Sequence, residues 1–145
     1  MIISTKGRYA LRVMLDLMLH PTDGYIPLQE ISDRQGISKE YLTAILKVLV
    51  ENGMLTSLRG KGGGYRLSMA PEAYTVGPIL RLVEGDLAPV ACVSGTTRCA
   101  NHSRCHTYPM WVKLDAMIND YFEQIHLTDL MPPEEPPEGP RNPSQ

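Results

Sequence analysis

The sequence predicts a mainly α-helical fold with one small β-hairpin, and three observations carry that prediction. Apolar residues recur at helical spacing in three segments ahead of Asn52. A basic, glycine-rich turn, Arg59-Gly60-Lys61-Gly62-Gly63-Gly64, separates two short β-prone stretches directly after them. Farther along, Met110, Trp111, Leu114, Met117, Ile118, Tyr121, Phe122 and Ile125 mark a long amphipathic helix.

The first helix is expected over residues 5–19, with Thr5 as a cap and Ala10, Val13, Met14, Leu17 and Met18 on its apolar face. Pro21-Thr22-Asp23-Gly24 stops it. A second helix begins near Pro27, a residue suited to a first turn, and runs to about Gln35, where Gly36 ends it. Ser38 caps a third helix whose stripe is Leu42, Ile45, Leu46, Leu49 and Val50, and Asn52-Gly53 closes it. A short helix, a glycine turn and a polar-started helix have the spacing of a helix-turn-helix. Strands at 54–58 and 65–67 around the basic turn add a wing. A short helix over 76–84 completes a winged helix-turn-helix domain at 1–84. A cysteine-bearing loop (85–108), a dimerisation helix (109–130) and a disordered Pro/Glu-rich tail (131–145) follow.

Composition narrows the function. With 43% hydrophobic and 21% charged residues the chain reads as a soluble globular protein. No apolar run is long enough for a membrane span, and no secretory h-region is present, so a cytoplasmic protein without a membrane partner is expected. The net charge of −2 conceals an asymmetry: residues 1–68 carry nine Lys/Arg against six Asp/Glu, and the remainder five against ten. A basic N-terminal half suits a polyanion. No nucleophile–base constellation or phosphate cradle is recognisable, so no enzyme is expected. On the third helix Ser38, Lys39, Tyr41, Thr43 and Lys47 occupy the turns from which a recognition helix reads DNA. Arg59, Lys61, Gly62 and Gly63 form the wing tip, where glycines permit close approach to phosphates, and Arg66 adds charge.

All three cysteines, Cys92, Cys99 and Cys105, fall within one stretch of the loop, with His102 and His106 among them. Such a group can hold a soft metal or an iron–sulfur cluster. Structural zinc and a metal-free thiol switch, helped by Arg98 and Arg104, are the alternatives; a small metal or electron carrier is a rival of another class, which the basic hairpin disfavours. The wide cysteine spacing lacks the close knuckle usual for zinc. The amphipathic helix, with Trp111, Leu114, Ile118, Tyr121, Phe122 and Ile125, suits a twofold dimer contact, because palindromic DNA calls for a symmetric reader.

Four separated motifs in one order resemble the Rrf-type family of bacterial winged-helix regulators, and within it the IscR-like members. They are Ser4-Thr5-Lys6-Gly7-Arg8-Tyr9-Ala10, then Ile31-Ser32-Asp33-Arg34-Gln35-Gly36-Ile37-Ser38 with Tyr41-Leu42, the wing Arg59 to Tyr65, and the three-cysteine loop before Trp111. The resemblance covers about residues 1–130. It implies a homodimer that binds double-stranded promoter DNA and senses iron–sulfur status, redox or nitric oxide through a [2Fe–2S] or [4Fe–4S] cluster on Cys92, Cys99 and Cys105. Cluster-assembly proteins are a further partner it suggests. Departures are specific. Tyr108 stands where IscR-like members place a ligand histidine, and Arg8 where NsrR-like members place an aspartate, which leaves His106, His102, a partner-chain residue or an exogenous molecule as fourth ligand. Thr43 and Ala44 replace a glutamate and a glutamine of the IscR-like pattern, so a different operator sequence is expected. A cluster-free regulator responding to thiol chemistry or a metabolite is the alternative.

Overall fold

The computed structural model describes residues 3–95 and 99–132. Helix α1 spans Thr5–Leu19, capped by Ser4 rather than Thr5: the Ser4 hydroxyl accepts from the Lys6 amide at 3.1 Å. Its buried face is Ala10, Val13, Met14 and Leu17. Helix α2, Leu28–Gln35, follows Pro27, which needs no amide at that position. Gly36 ends α2 at φ +64°, the left-handed conformation that a glycine adopts without a Cβ penalty. The Ser32 hydroxyl donates to the Ile37 carbonyl at 2.6 Å and holds the turn closed. Helix α3, Lys39–Glu51, starts at Ser38, whose hydroxyl accepts from the Tyr41 amide at 3.3 Å. Leu42, Ile45, Leu46 and Leu49 are fully buried on its inner face.

Strands β1 (Leu55–Leu58) and β2 (Gly64–Leu67) pair antiparallel, with Leu55 opposite Leu67 and Leu58 opposite Gly64. Ile26 adds a one-residue third strand, exchanging hydrogen bonds of 2.9 Å with Tyr65 in both directions. A side chain at position 64 would run into the Ile26 carbonyl, so only glycine lets the wing root dock there. Tyr74 fixes the same root from below. Its buried hydroxyl donates to the Met54 carbonyl at 2.7 Å and accepts from the Ser68 and Met69 amides, each at 2.9 Å. That anchor has no counterpart in the hydrophobic pattern, which registers only that Tyr74 is aromatic.

Helix α4 spans Val76–Glu84 and helix α5 Tyr108–Gln124. The dimerisation helix expected over 109–130 therefore ends earlier; Ile125 leaves the helix and a separate 3₁₀ turn forms at Leu127–Leu130. The chain between them returns to the first domain: the Val76 amide donates to the Ile125 carbonyl at 2.9 Å, and the Leu127 amide to Tyr74 at 3.0 Å. Leu127 is fully buried in the main core with residues of α1, α2 and α3. A second, smaller core of Val76, Leu80 and Leu87 packs against Phe122 and Ile125. Arg81 ties α4 to α5 through Asn119 Oδ1 at 3.0 Å and through Glu123. The predicted tail from residue 133 onward, and Arg98, lie outside the described residues. No helix among the described residues is long and apolar enough to cross a membrane.

Candidate functional site

The exposed side of α3 and the wing enclose one groove. Thr43 and Lys47 line it from the helix, and Arg59, Gly63 and Tyr65 from the hairpin. The geometry follows from the pattern of α3: its apolar residues recur at three- and four-residue spacing and turn inward, which leaves positions 43 and 47 outward, one turn apart. Alternation on β2 turns Tyr65 toward the groove and Arg66 away from it. The Arg66 guanidinium lies 4.6 Å from the Tyr25 ring centroid and borders a different hollow, with His20 and Met69. Arg66 therefore borders that hollow and not the groove. Tyr65 and Ser57, which do line it, were legible only through the period-two alternation of the strands.

Each side chain of the expected DNA surface has a definite surrounding. Ser38 and Lys39 are exposed at the start of α3. Tyr41 stands edge-on to Tyr9 of α1 at 5.5 Å, with Arg12 over the other ring at 5.2 Å, so its aromatic body is propped by the first helix. The Thr43 hydroxyl donates to the Lys39 carbonyl at 2.7 Å, which commits its proton within the helix and leaves an acceptor and a methyl group outward. Lys47 is exposed, 3.8 Å from Glu51, an ion pair too solvated to hold it back from a polyanion. Lys61 and Gly62 sit at the wing tip, where Gly60 and Gly62 have φ of +89° and +73°. At position 63 a Cβ would meet the Leu58 and Gly60 carbonyls, so a backbone edge is presented there.

The thiols are less assembled. Cys92 and Cys105 are half-buried, Cys99 is exposed, and all three are free. Among the described residues no three His, Cys, Asp or Glu side chains converge as metal ligands. A single 3₁₀ turn, His102–Arg104, joins Cys99 to Cys105 and leads into α5. The Cys105 sulfur lies 3.3 Å from the Thr107 hydroxyl. That hydroxyl, with the Thr107 and Tyr108 amides at the start of α5, holds the Cys105 thiol below its ordinary range. The His102 ring packs edge-on against Tyr108, centroids 4.1 Å apart. His106 is exposed.

On α5, Trp111, Ile118 and Phe122 are half-buried, as is Ile125 just past its end, and the last two face the chain's own second core. Met110, Leu114, Met117 and Tyr121, at helical spacing beside them, are 54%, 37%, 59% and 62% exposed. Met110 and Met117 thus belong to the outward stripe, whereas Phe122 and Ile125 serve the fold of their own chain.

The sequence profile of the Rrf2 family, described as an iron-dependent transcriptional regulator, matches residues 3–133. Relatives named HTH-type transcriptional regulator IscR are similar over most of the chain. That of Aliivibrio salmonicida is 39% identical over 129 residues, covering 89% of this chain and 76% of the relative. That of Erwinia tasmaniensis is 40% identical over 129 residues, covering 89% and 78%. Proteins so named are regulators and not enzymes. Among solved structures, CymR (YrzC), the global cysteine regulator of B. subtilis, superposes with a TM-score of 0.74 at 30% identity, covering 90% of this chain and 95% of that one. T. potens IscR gives 0.70 at 33% identity, covering 89% and 85%.

Proposed function

From the premise that the chain belongs to the Rrf2 family of transcriptional regulators, we propose that it binds double-stranded promoter DNA as a homodimer and that its cysteine loop carries an iron–sulfur cluster. The observation that carries the DNA reading is the shared groove, in which Thr43 and Lys47 of α3 face Arg59 and the backbone at Gly63. A helix of this exposure enters a major groove, while the wing follows the adjacent phosphates. Short side chains at Thr43 and Ala44 read few base atoms, so phosphate contacts and DNA shape contribute much of the selectivity.

Cys92, Cys99 and Cys105 would hold the cluster, which supplies a redox- and nitric-oxide-sensitive iron site. The donor set fits by chemistry: three free thiols, one of them with its pKa lowered, and imidazoles on the same loop. The loop joins α4 to α5, so its order bears on how two recognition helices are spaced across a dimer. A cluster-free thiol regulator is the second reading, favoured by the separated thiols and by the lowered Cys105.

Anaerobic purification from iron-replete cells, followed by absorbance and iron analysis, separates the two. Iron and sulfide bound to the wild type, with loss on Cys→Ser replacement, supports the cluster; a colourless, iron-free protein leaves the thiol reading. Titration of promoter DNA across salt tests the interface, and an affinity indifferent to salt would count against it.

A further inference from the structure

The outward edge of α3 is a stripe in steps of four residues: Lys39, Thr43, Lys47 and Glu51, all exposed. Its last member reverses the charge. Glu51 lines the groove beside Lys47, with Arg59 on the wing side, and it is the one acidic side chain among the described residues that do so. A carboxylate thus stands where a polyanion is expected.

The fold does not call for it. Glu51 is the last residue of α3, where the helix dipole is negative and favours a cation, and no basic residue occupies that turn. Asn52 closes the helix end: its backbone amide and its side-chain amide both donate to the Val48 carbonyl, at 3.2 and 2.8 Å. Among the described residues the charged partner of Glu51 is Lys47, 3.8 Å away, with side chains 61% and 71% exposed. Such a pair is weak because it is solvated, and weak again because the lysine lies on the N-terminal side.

Resting on the DNA reading of this groove, we propose that Glu51 is a specificity-determining residue that acts by repulsion: its carboxylate opposes phosphates and suppresses sequence-independent binding. A recognition helix enters the major groove by its N-terminal residues, so its last turn stays beside the backbone. Sequence-independent affinity comes from the phosphates that lysine and arginine neutralise. Lys47 and Arg59 add to that count in the groove, and Glu51 subtracts from it. Non-specific complexes sample every register, including those that set a phosphate against Glu51. An operator holds one register through base edges and DNA shape. The penalty therefore falls harder on wrong sequences, which is how a repulsive element gives specificity. With only short side chains at Thr43 and Ala44 to read bases, discrimination draws on such an element.

The test compares full-length wild type and Glu51→Gln on two duplexes of equal length. One is the duplex that the wild type enriches from a randomised pool, and the other is a scrambled duplex of the same composition. At about 0.15 M salt one additional neutralised phosphate is worth about fivefold in affinity. E51Q is expected to bind the scrambled duplex about fivefold tighter, with a salt slope steeper by about one, and the enriched duplex less than about twofold tighter. Glu51→Ala should do the same, because the lost charge and not the new amide is responsible. Glu72→Gln, an equal change of net charge outside the groove, should alter neither. An equal gain on both duplexes, no gain, a loss on the enriched duplex, or the same gain in E72Q would each overturn the proposal. A wild type that enriches no duplex, or binds without salt dependence, overturns the DNA reading itself, and that result is read before any variant is compared.

Discussion

Glu84, the last residue of α4, accepts from the Gly7 amide at 2.8 Å through the same oxygen that receives the Ser4 amide at 3.0 Å and the Ser4 hydroxyl at 2.7 Å. A carboxylate thus sits on the free amides at the start of α1, where the helix dipole favours negative charge. Gly7 permits it: a Cβ there would occupy the position of the Glu84 carboxylate. Gly7→Ala must displace that carboxylate. Hydrogen bonds to a charged group are worth about 1.5–3 kcal/mol, and the better helix propensity of alanine returns about 1 kcal/mol. A net loss of about 1–2 kcal/mol in chemical denaturation is expected. Glu84→Ala should cost at least as much, and the double variant should cost little more than either alone, because both remove the same contact.

Asp16 gives the fold an acid limit. Its side chain is fully buried, which alone would raise its pKa; hydrogen bonds from Arg34 at 2.7 and 2.9 Å and from Gln35 at 2.8 Å, with the Arg34 charge, outweigh this and hold it below the usual carboxylate range. A carboxyl lowered in the folded state binds a proton more readily when unfolded. Its stabilisation is complete above the unfolded value, near pH ~3.9, and is lost as pH falls through the folded value. Denaturation midpoints measured between about pH 7 and about pH 2.5 should therefore fall steeply at the acid end. Asp16→Asn should cost about 2 kcal/mol at neutral pH, because it removes the buried carboxylate from Arg34 and leaves that guanidinium only the exposed Glu30, and should flatten that acid limb.

The groove predicts which cations matter for DNA. Lys47→Ala, Arg59→Ala and Lys61→Ala should each lower affinity and reduce the slope of log affinity against log salt by about one. Arg66→Ala should change the slope less, since that guanidinium lies over Tyr25 and borders a hollow separate from the groove. Titrations of one promoter fragment at several salt concentrations check all four. Equal losses for Arg66 and Arg59 would place the DNA on the wrong face of the wing.

These contrasts show where sequence reasoning reached and where it stopped. Apolar periodicity identified α1 and α3, and the glycines placed both the helix turn and the wing, because those signals are local. Asp16, Tyr74 and Leu127 escaped it. A buried carboxylate paired with Arg34, a hydroxyl serving Met54 and Ser68, and a core residue beyond α5 depend on contacts far apart in the chain, and no spacing rule encodes them. Cysteine spacing drew attention to the loop, yet left His102 and His106 equivalent.

The outward stripe of α5 supplies the last prediction. Met110, Leu114, Met117 and Tyr121 are exposed at 4-3-4 spacing, the pattern of one helix seam against another. Phe122 and Ile125 meanwhile pack on the chain's own Val76, Leu80 and Leu87, so the helix stays attached to its domain without a partner. Introducing a charge into the stripe should thus separate protomers without unfolding them. Leu114→Glu with Met117→Glu is expected to weaken self-association by tenfold or more, about 1.4 kcal/mol at the least, as measured by sedimentation velocity across protein concentration. Helicity should be retained. Binding to a twofold DNA site should weaken more than binding to its half-site, because only the former draws on two linked recognition helices. Phe122→Ala should behave in the opposite way, destabilising the folded protomer by about 1–2 kcal/mol while leaving the contact stripe in place. If Phe122→Ala dissociated the protein at unchanged stability, the helix would be turned the other way round in the dimer.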